Sequence, residues 1–154
     1  MTESAHKKAS KSSRKARQTA ARLFAVQAVY QALQLKVSPA SLLDEYIQHH
    51  VGMDLDGQEM VQPDGVLFTG IVKGVDERMT DLQQMIAPRL KNVAMEPLLA
   101  AVLLCGAYEL LAHAEIDAPI IISDYIDVTH GFFEGAQPKL VNGVLDALAK
   151  EIRA

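Results

Sequence analysis

Seven basic residues crowd the first 22 positions: Lys7, Lys8, Lys11, Arg14, Lys15, Arg17 and Arg22. Only Glu3 opposes them there, a local net charge of +6. The other 132 residues carry 8 basic and 18 acidic groups, a net −10. Lysine and arginine neutralise phosphates and release counterions, and Arg-rich segments fold on binding RNA. A basic arm on an acidic body therefore points to a nucleic-acid contact at one end. The alternative is a solubilising tail. Arg14, Lys15, Arg17 and Arg22 are the favoured RNA contacts, because they lie on or beside the first helical stretch.

Other residue groupings carry less chemistry. Asp124, Asp127 and His130 stand at i, i+3 and i+6, roughly along one helix face. They suit a metal by type, but carboxylate sites in helical bundles draw Glu and Glu-x-x-His ligands from further helices. No second such motif is present in the sequence, so a solvated or partner-binding face is expected, with Asp124 and Asp127 facing the partner. His49 and His50 diverge by roughly 100° on a helix and make a poor ligand pair. Asp54-Leu-Asp56-Gly57 lacks the remaining ligands of a calcium loop. Cys105 is the single cysteine, which excludes an internal disulfide and a cysteine metal site. It lies in an apolar run with no electropositive neighbour, so it reads as a core residue and not a nucleophile. No metal, cofactor or catalytic site is expected.

Helices must position the basic arm. Leu98–Ala112 carries one charge, Glu109, in 15 residues. A helix apolar on nearly every face is surrounded by other elements, and this one is too short to span a bilayer, which takes about 20 apolar residues. It reads as the buried central helix of an all-α domain. β-Branched residues do not alternate, which argues against a sheet. Before it, Leu23, Val26, Tyr30 and Leu33 recur at helical steps and continue the basic arm. Tyr30 on that stripe reads as a core aromatic. Ser38-Pro39 is a helix start, with Ser as N-cap and Pro at the first position. Leu42, Leu43, Tyr46, Ile47 and His50 mark the next helix. Gly52 to Gly65 reads as a loop.

A further apolar stripe covers Leu67, Phe68, Ile71, Val72 and Val75, with Gly70 and Gly74 one turn apart for a close helix approach. It continues through Met79, Leu82 and Ile86, with a break near Thr80-Asp81 and an end at Pro88. After the central helix, Ile120 to His130 continues at helical spacing, with Ser123 and Asp124 in its first turn. Gly131 to Pro138 reads as a loop. The last helix carries Leu140, Val141, Val144, Leu145 and Leu148. Residues 1–13 are too polar to bury a face and are expected to form a flexible tail. Met1–Arg22 has no secretory apolar region, which points to the cytoplasm, and no membrane contact is expected.

Three blocks in order resemble the family of the transcription antitermination factor NusB. Arg22-Leu-Phe-Ala-Val-Gln-Ala-Val-Tyr-Gln31 is similar to the family's Arg-x-x-Ala-Val-Gln-Ala-Leu-Tyr segment. Gly106-Ala-Tyr-Glu-Leu-Leu111 resembles its Tyr-Glu-Leu helix, and Leu140-Val-Asn-Gly-Val-Leu-Asp146 its Phe-Val-Asn-Gly-Val-Leu-Asp signature. Here the basic residues sit at 7–17 and not directly before the Ala-Val-Gln block. Ser123-Asp124 stands where the family carries Asn-Glu.

The resemblance implies an all-α, NusB-like fold of about seven helices in two packed bundles. The N-terminal bundle would cover about 14–80 and the C-terminal one about 81–154. It implies a non-catalytic protein that binds boxA-type RNA with a small-subunit ribosomal protein, known in this role as NusE. The pair would serve an antitermination complex on RNA polymerase. Lys139, just before the C-terminal signature, is a further candidate phosphate contact, against the default of a solvated lysine. Asn142, Gly143 and Asp146 read as structural: side-chain bonds to a neighbouring backbone and a close helix contact at the glycine.

Two alternatives stand beside this. One is a homodimeric helical interaction module with reduced RNA binding. The other is a stand-alone relative of the NusB-like domain that begins a ribosomal RNA cytosine methyltransferase. The 154 residues hold no glycine-rich cofactor loop and no catalytic-cysteine motif, so methyl transfer is not expected.

Overall fold

In the computed structural model, residues 2–49, 62–90, 95–133, 135 and 137–153 are described, with side chains from Arg14 onward. Residues 54–57, His50, and the side chains of Lys7, Lys8 and Lys11 lie outside the described residues. Seven α-helices and no strand are present among the described residues. They are α1 (Thr2–Leu35), α2 (Leu43–His49), α3 (Gly65–Glu77), α4 (Met79–Leu90), α5 (Pro97–Ala112), α6 (Ala118–Phe132) and α7 (Gln137–Ile152). A 3-10 turn, Pro39–Leu42, precedes α2.

Helix α5 is the centre. Pro97 occupies its first turn, where a missing N–H is harmless. Leu99, Val102, Leu103, Leu104, Cys105 and Leu110 are all buried, each large side chain contributing about 1.5–3 kcal/mol. Helices α1, α3, α4, α6 and α7 all pack on it. Helix α1 lies against α5 and α3, while α6 and α7 pack on each other and on α5. The central helix thus contacts α1, α3 and α4 before it in the chain and α6 and α7 after it.

Several local expectations are corrected. Helix α1 runs back to Thr2, through a stretch with no Gly or Pro to break it. Its inner face is made of Ala21, Ala25, Val26, Ala28, Val29 and Ala32, with Leu23, Tyr30 and Leu33 at the margin and partly buried. Small side chains let α1 approach its neighbours closely. Ser38 starts the 3-10 turn but makes no side-chain cap bond. Asp64, by contrast, caps α3 by accepting from the N–H groups of Val66 and Leu67, both at 3.1 Å. Helix α3 breaks at Arg78, slightly before Thr80. Pro88 lies inside α4, which continues to Leu90. The residue triplet Ile120-Ile121-Ile122 is helical, as its spacing predicts, but Ser123 and Asp124 fall in the second turn of α6, not the first. Phe132 closes α6, where a loop was expected.

The two expected close-approach glycines differ. Gly74 lies under the Tyr108 ring of α5, where a Cβ would collide. A Cβ at Gly70 would meet nothing within 4 Å. Gly106 on α5 is the other tight point, with Leu145 Cδ1 of α7 only 2.9 Å from a Cβ there.

Candidate nucleic-acid interface

Lys15, Gln18 and Arg22 recur at steps of three and four, so they share one face of α1. That face meets α6. The buried part of the contact is an ion cluster. Arg22 is only 3 % exposed and donates from Nε to Glu109 Oε2 at 2.7 Å and from Nη2 to Glu109 Oε1 at 3.0 Å. Its Nη1 donates to Asp124 Oδ2 at 2.7 Å. Thr19, one turn earlier, donates its hydroxyl to Asp124 Oδ1 at 2.7 Å. One turn of α1 is thereby tied to both α5 and α6.

Glu109 is fully buried and saturated. Tyr125 donates to its Oε2 at 2.5 Å, and His113 Nδ1 lies 2.9 Å from its Oε1. With the two bonds from Arg22, all four acceptor positions of the carboxylate are used. Burial pushes this carboxyl up, but hydrogen bonds from His113, Arg22 and Tyr125 and the charge of Arg22 outweigh it and hold it at about 2. Burial opposes the Arg22 charge, yet Glu109 and Asp124 raise its affinity for the proton overall. Burial and then the Glu109 charge raise the Tyr125 hydroxyl and the Cys105 thiol, so both stay protonated.

These partners change two expectations. Arg22 was expected on the RNA and Asp124 on a protein partner. The structure commits both to the interior, because Arg22 at 3 % and Asp124 at 7 % exposure bind one another. The missed residues are Thr19, His113 and Tyr125. A signal existed for the core of the cluster: Arg22 lies on the same face as Val26 and Val29, and Glu109 is the only charge in α5.

Arg14, Lys15 and Arg17 are exposed on α1. Arg17 also donates to the Gln62 carbonyl at 3.2 Å, and its own carbonyl accepts from Asp64 N–H at 3.0 Å, which steadies the entry to α3. At about 100° per residue the three basic side chains span about 160° of the helix surface. Lys139 is exposed at the start of α7, apart from them in sequence and on another helix.

Above the ion cluster, α1 and α6 leave a cleft of about 490 Å³. Lys15 and Gln18 line it from α1, and Pro119, Ile120, Ser123 and Asp127 from α6, with Arg22 and Asp124 beneath. Asp127 is exposed. His130 is exposed as well, while Asp124 is turned to Arg22, so the i, i+3, i+6 set does not gather. No group of three or more His, Cys, Asp or Glu placed to hold a metal ion occurs among the described residues.

The sequence reads Asn142, Gly143 and Asp146 as structural, through side-chain bonds to a neighbouring backbone and a close helix contact at the glycine. They are exposed on α7, and a Cβ on Gly143 would meet nothing within 4 Å. Among the described residues Asp146 pairs with Lys150, its i+4 neighbour, at 3.2 Å. Asn142 and Asp146 border a groove between α6 and α7 together with Ser123 and Ile126. The buried work of α7 is done by Val141, Val144, Leu145 and Leu148.

The sequence model of the NusB family matches residues 19–150. The chain is similar to proteins named transcription antitermination protein NusB. That of Novosphingobium aromaticivorans is 42 % identical over 138 residues, 87 % of this chain and 93 % of that protein. That of Sphingopyxis alaskensis is 37 % identical over 139 residues, 88 % of this chain and 93 % of that protein. That of Rhizobium rhizogenes is 35 % identical over 138 residues, 87 % of this chain and 86 % of that protein. Among solved structures, T. maritima NusB superposes with a TM-score of 0.70 at 21 % identity, over 87 % of this chain and 91 % of that one. That likeness shows the fold.

Proposed function

This chain belongs to the NusB family of transcription antitermination proteins, a non-catalytic family, and we infer that it works by binding boxA-type RNA jointly with the small-subunit ribosomal protein NusE. The observation that carries this is the exposed basic surface of α1. Arg14, Lys15 and Arg17 point to solvent, while the next basic residue, Arg22, is locked to α5 and α6. The phosphate-binding side chains therefore project from a helix fixed to the rest of the domain. Fixed cations lose less freedom on binding than cations on a loose tail.

In this reading Arg14, Lys15 and Arg17 hold phosphates, joined by Lys139 where the strand passes α7. The ribosomal protein docks on the exposed C-terminal surface that carries Asn142, Gly143 and Asp146. Asp127, exposed on α6 in the cleft with Lys15, belongs to the joint surface in this reading. Sequence preference comes from unpaired bases, as is usual for RNA. The pair then enters an antitermination complex on RNA polymerase in the cytoplasm. Among the described residues no helix is long and apolar enough to cross a membrane.

The test is a binding titration of the full chain, with and without the ribosomal protein, against boxA and a scrambled RNA. Tighter binding of boxA, increased by the partner, is expected. Equal affinity for both RNAs in the presence of the partner overturns the reading, and a self-dimer that binds neither RNA nor partner favours an interaction module.

A further inference from the structure

We propose that the cleft between α1 and α6 is a base-reading pocket: it receives one unpaired base of the strand held along α1, and Asp127 accepts a hydrogen bond from that base's exocyclic amino group. This rests on the RNA reading above and adds to it the residue that selects the base.

The cleft of about 490 Å³ falls within the usual range for small-molecule sites, about 300–1,000 Å³. Its floor is closed to new partners, since Arg22 and Asp124 are bound to each other, to Glu109 and to Thr19. Its walls are not. The side chains of Gln18, Ser123 and Asp127 have no hydrogen-bond partner among the described residues, yet all three line this one space. Pro119 and Ile120 supply an apolar side, and Ile120 is 56 % exposed. Lys15 belongs both to the cleft and to the exposed basic surface. A nucleotide whose phosphate sits on Lys15 has its base next to the cleft.

The mixture of groups selects the occupant. A carboxylate only accepts hydrogen bonds, whereas an amide and a hydroxyl also donate. Asp127 with Gln18 or Ser123 therefore matches an amino group beside a ring-nitrogen acceptor, which is the Watson–Crick edge of cytosine and of adenine. Asp and Glu accept from the cytosine amino group in the same way in DNA recognition. Uracil offers carbonyl oxygens where the amino group would be, and the carboxylate repels them. A cationic side chain of a protein partner would gain from Asp127 but meet Lys15 at the same site. A neutral base attached to an anion satisfies both.

The experiment compares oligo(C), oligo(A) and oligo(U) of equal length in fluorescence-anisotropy titrations with the full chain, for the wild type and Asp127→Asn. The wild type is expected to bind oligo(C) and oligo(A) about tenfold tighter than oligo(U). In Asp127→Asn the ratio of oligo(C) to oligo(U) affinity falls towards one while the salt dependence is unchanged, because Asp127 contacts no phosphate. The residue is exposed, so the thermal transition stays in place. Equal wild-type affinity for oligo(C) and oligo(U), or an unchanged ratio in the variant, overturns the pocket and leaves the phosphate-binding surface standing. No binding to any RNA overturns both. A variant that loses the ribosomal partner while keeping the base ratio assigns the cleft to protein and also overturns the proposal.

Discussion

Arg22 grips Glu109 through two parallel hydrogen bonds, Nε to Oε2 at 2.7 Å and Nη2 to Oε1 at 3.0 Å, across 87 residues of sequence. The pair joins the helix that carries the basic surface to the helix at the centre of the fold. Removing one partner of a buried ion pair leaves the other charge uncompensated and costs about 3–5 kcal/mol. Arg22→Ala is expected to lower unfolding stability by that amount in urea titrations. Arg22→Lys recovers only part of it, since an ammonium cannot reproduce the fork that binds a carboxylate twice. A loss below about 1 kcal/mol in Arg22→Ala contradicts the assignment of this pair as buried and intact.

Acid should unfold the protein through the same cluster. The Glu109 carboxyl is held at about 2 in the folded state, against 4.5 ordinarily. A depressed carboxyl contributes stability that is fully present above its unfolded pKa and is lost as the pH falls towards the folded one. The window is therefore from about pH 4.5 down to about pH 2, and the effect is on the order of 3 kcal/mol. Glu109→Gln has lower stability at neutral pH and a flatter acid limb. Denaturation curves at stepped pH check this, and identical acid limbs in the two proteins contradict it.

The two glycines of α3 should respond in opposite directions. Gly70→Ala adds a methyl group into open space and removes the helix penalty of glycine, so a gain of about 1 kcal/mol is expected. Gly74→Ala drives the Tyr108 ring off its seat. Overpacking of this kind costs about 1–3 kcal/mol, which exceeds the propensity gain, and thermal melts should show a net loss. The Tyr108 contact with His113, now edge-on at 5.7 Å between ring centroids, should loosen with it.

The helical framework was legible because its signals are local. An apolar run with one charge, Leu98–Ala112, marked α5, and helical spacing over Ile120 to His130 marked α6 despite its three consecutive isoleucines. The inner face of α1 was harder to read. Leucines and Tyr30 are the strongest apolar residues there, but close packing favoured the alanines, which turned the helix and carried Arg22 inward. A charged residue at the end of a basic run reads as surface; only its shared face with Val26 and Val29 says otherwise. Pairing it with Glu109 needs knowledge of which helices touch, and that information is tertiary. Gly143 was read as a contact because glycine often permits one, yet the structure leaves it facing outward.

The central claim, that the exposed cations of α1 hold RNA phosphates, is tested most directly by salt dependence. Each phosphate contact on a single strand contributes about −0.7 to the slope of log affinity against log salt. A variant with Arg14, Lys15 and Arg17 all replaced by alanine should bind boxA RNA more weakly, with a slope flatter by about 2. Its fold should persist, since Arg22 and the ion cluster are untouched. Unchanged affinity and slope in a correctly folded triple variant would contradict the account.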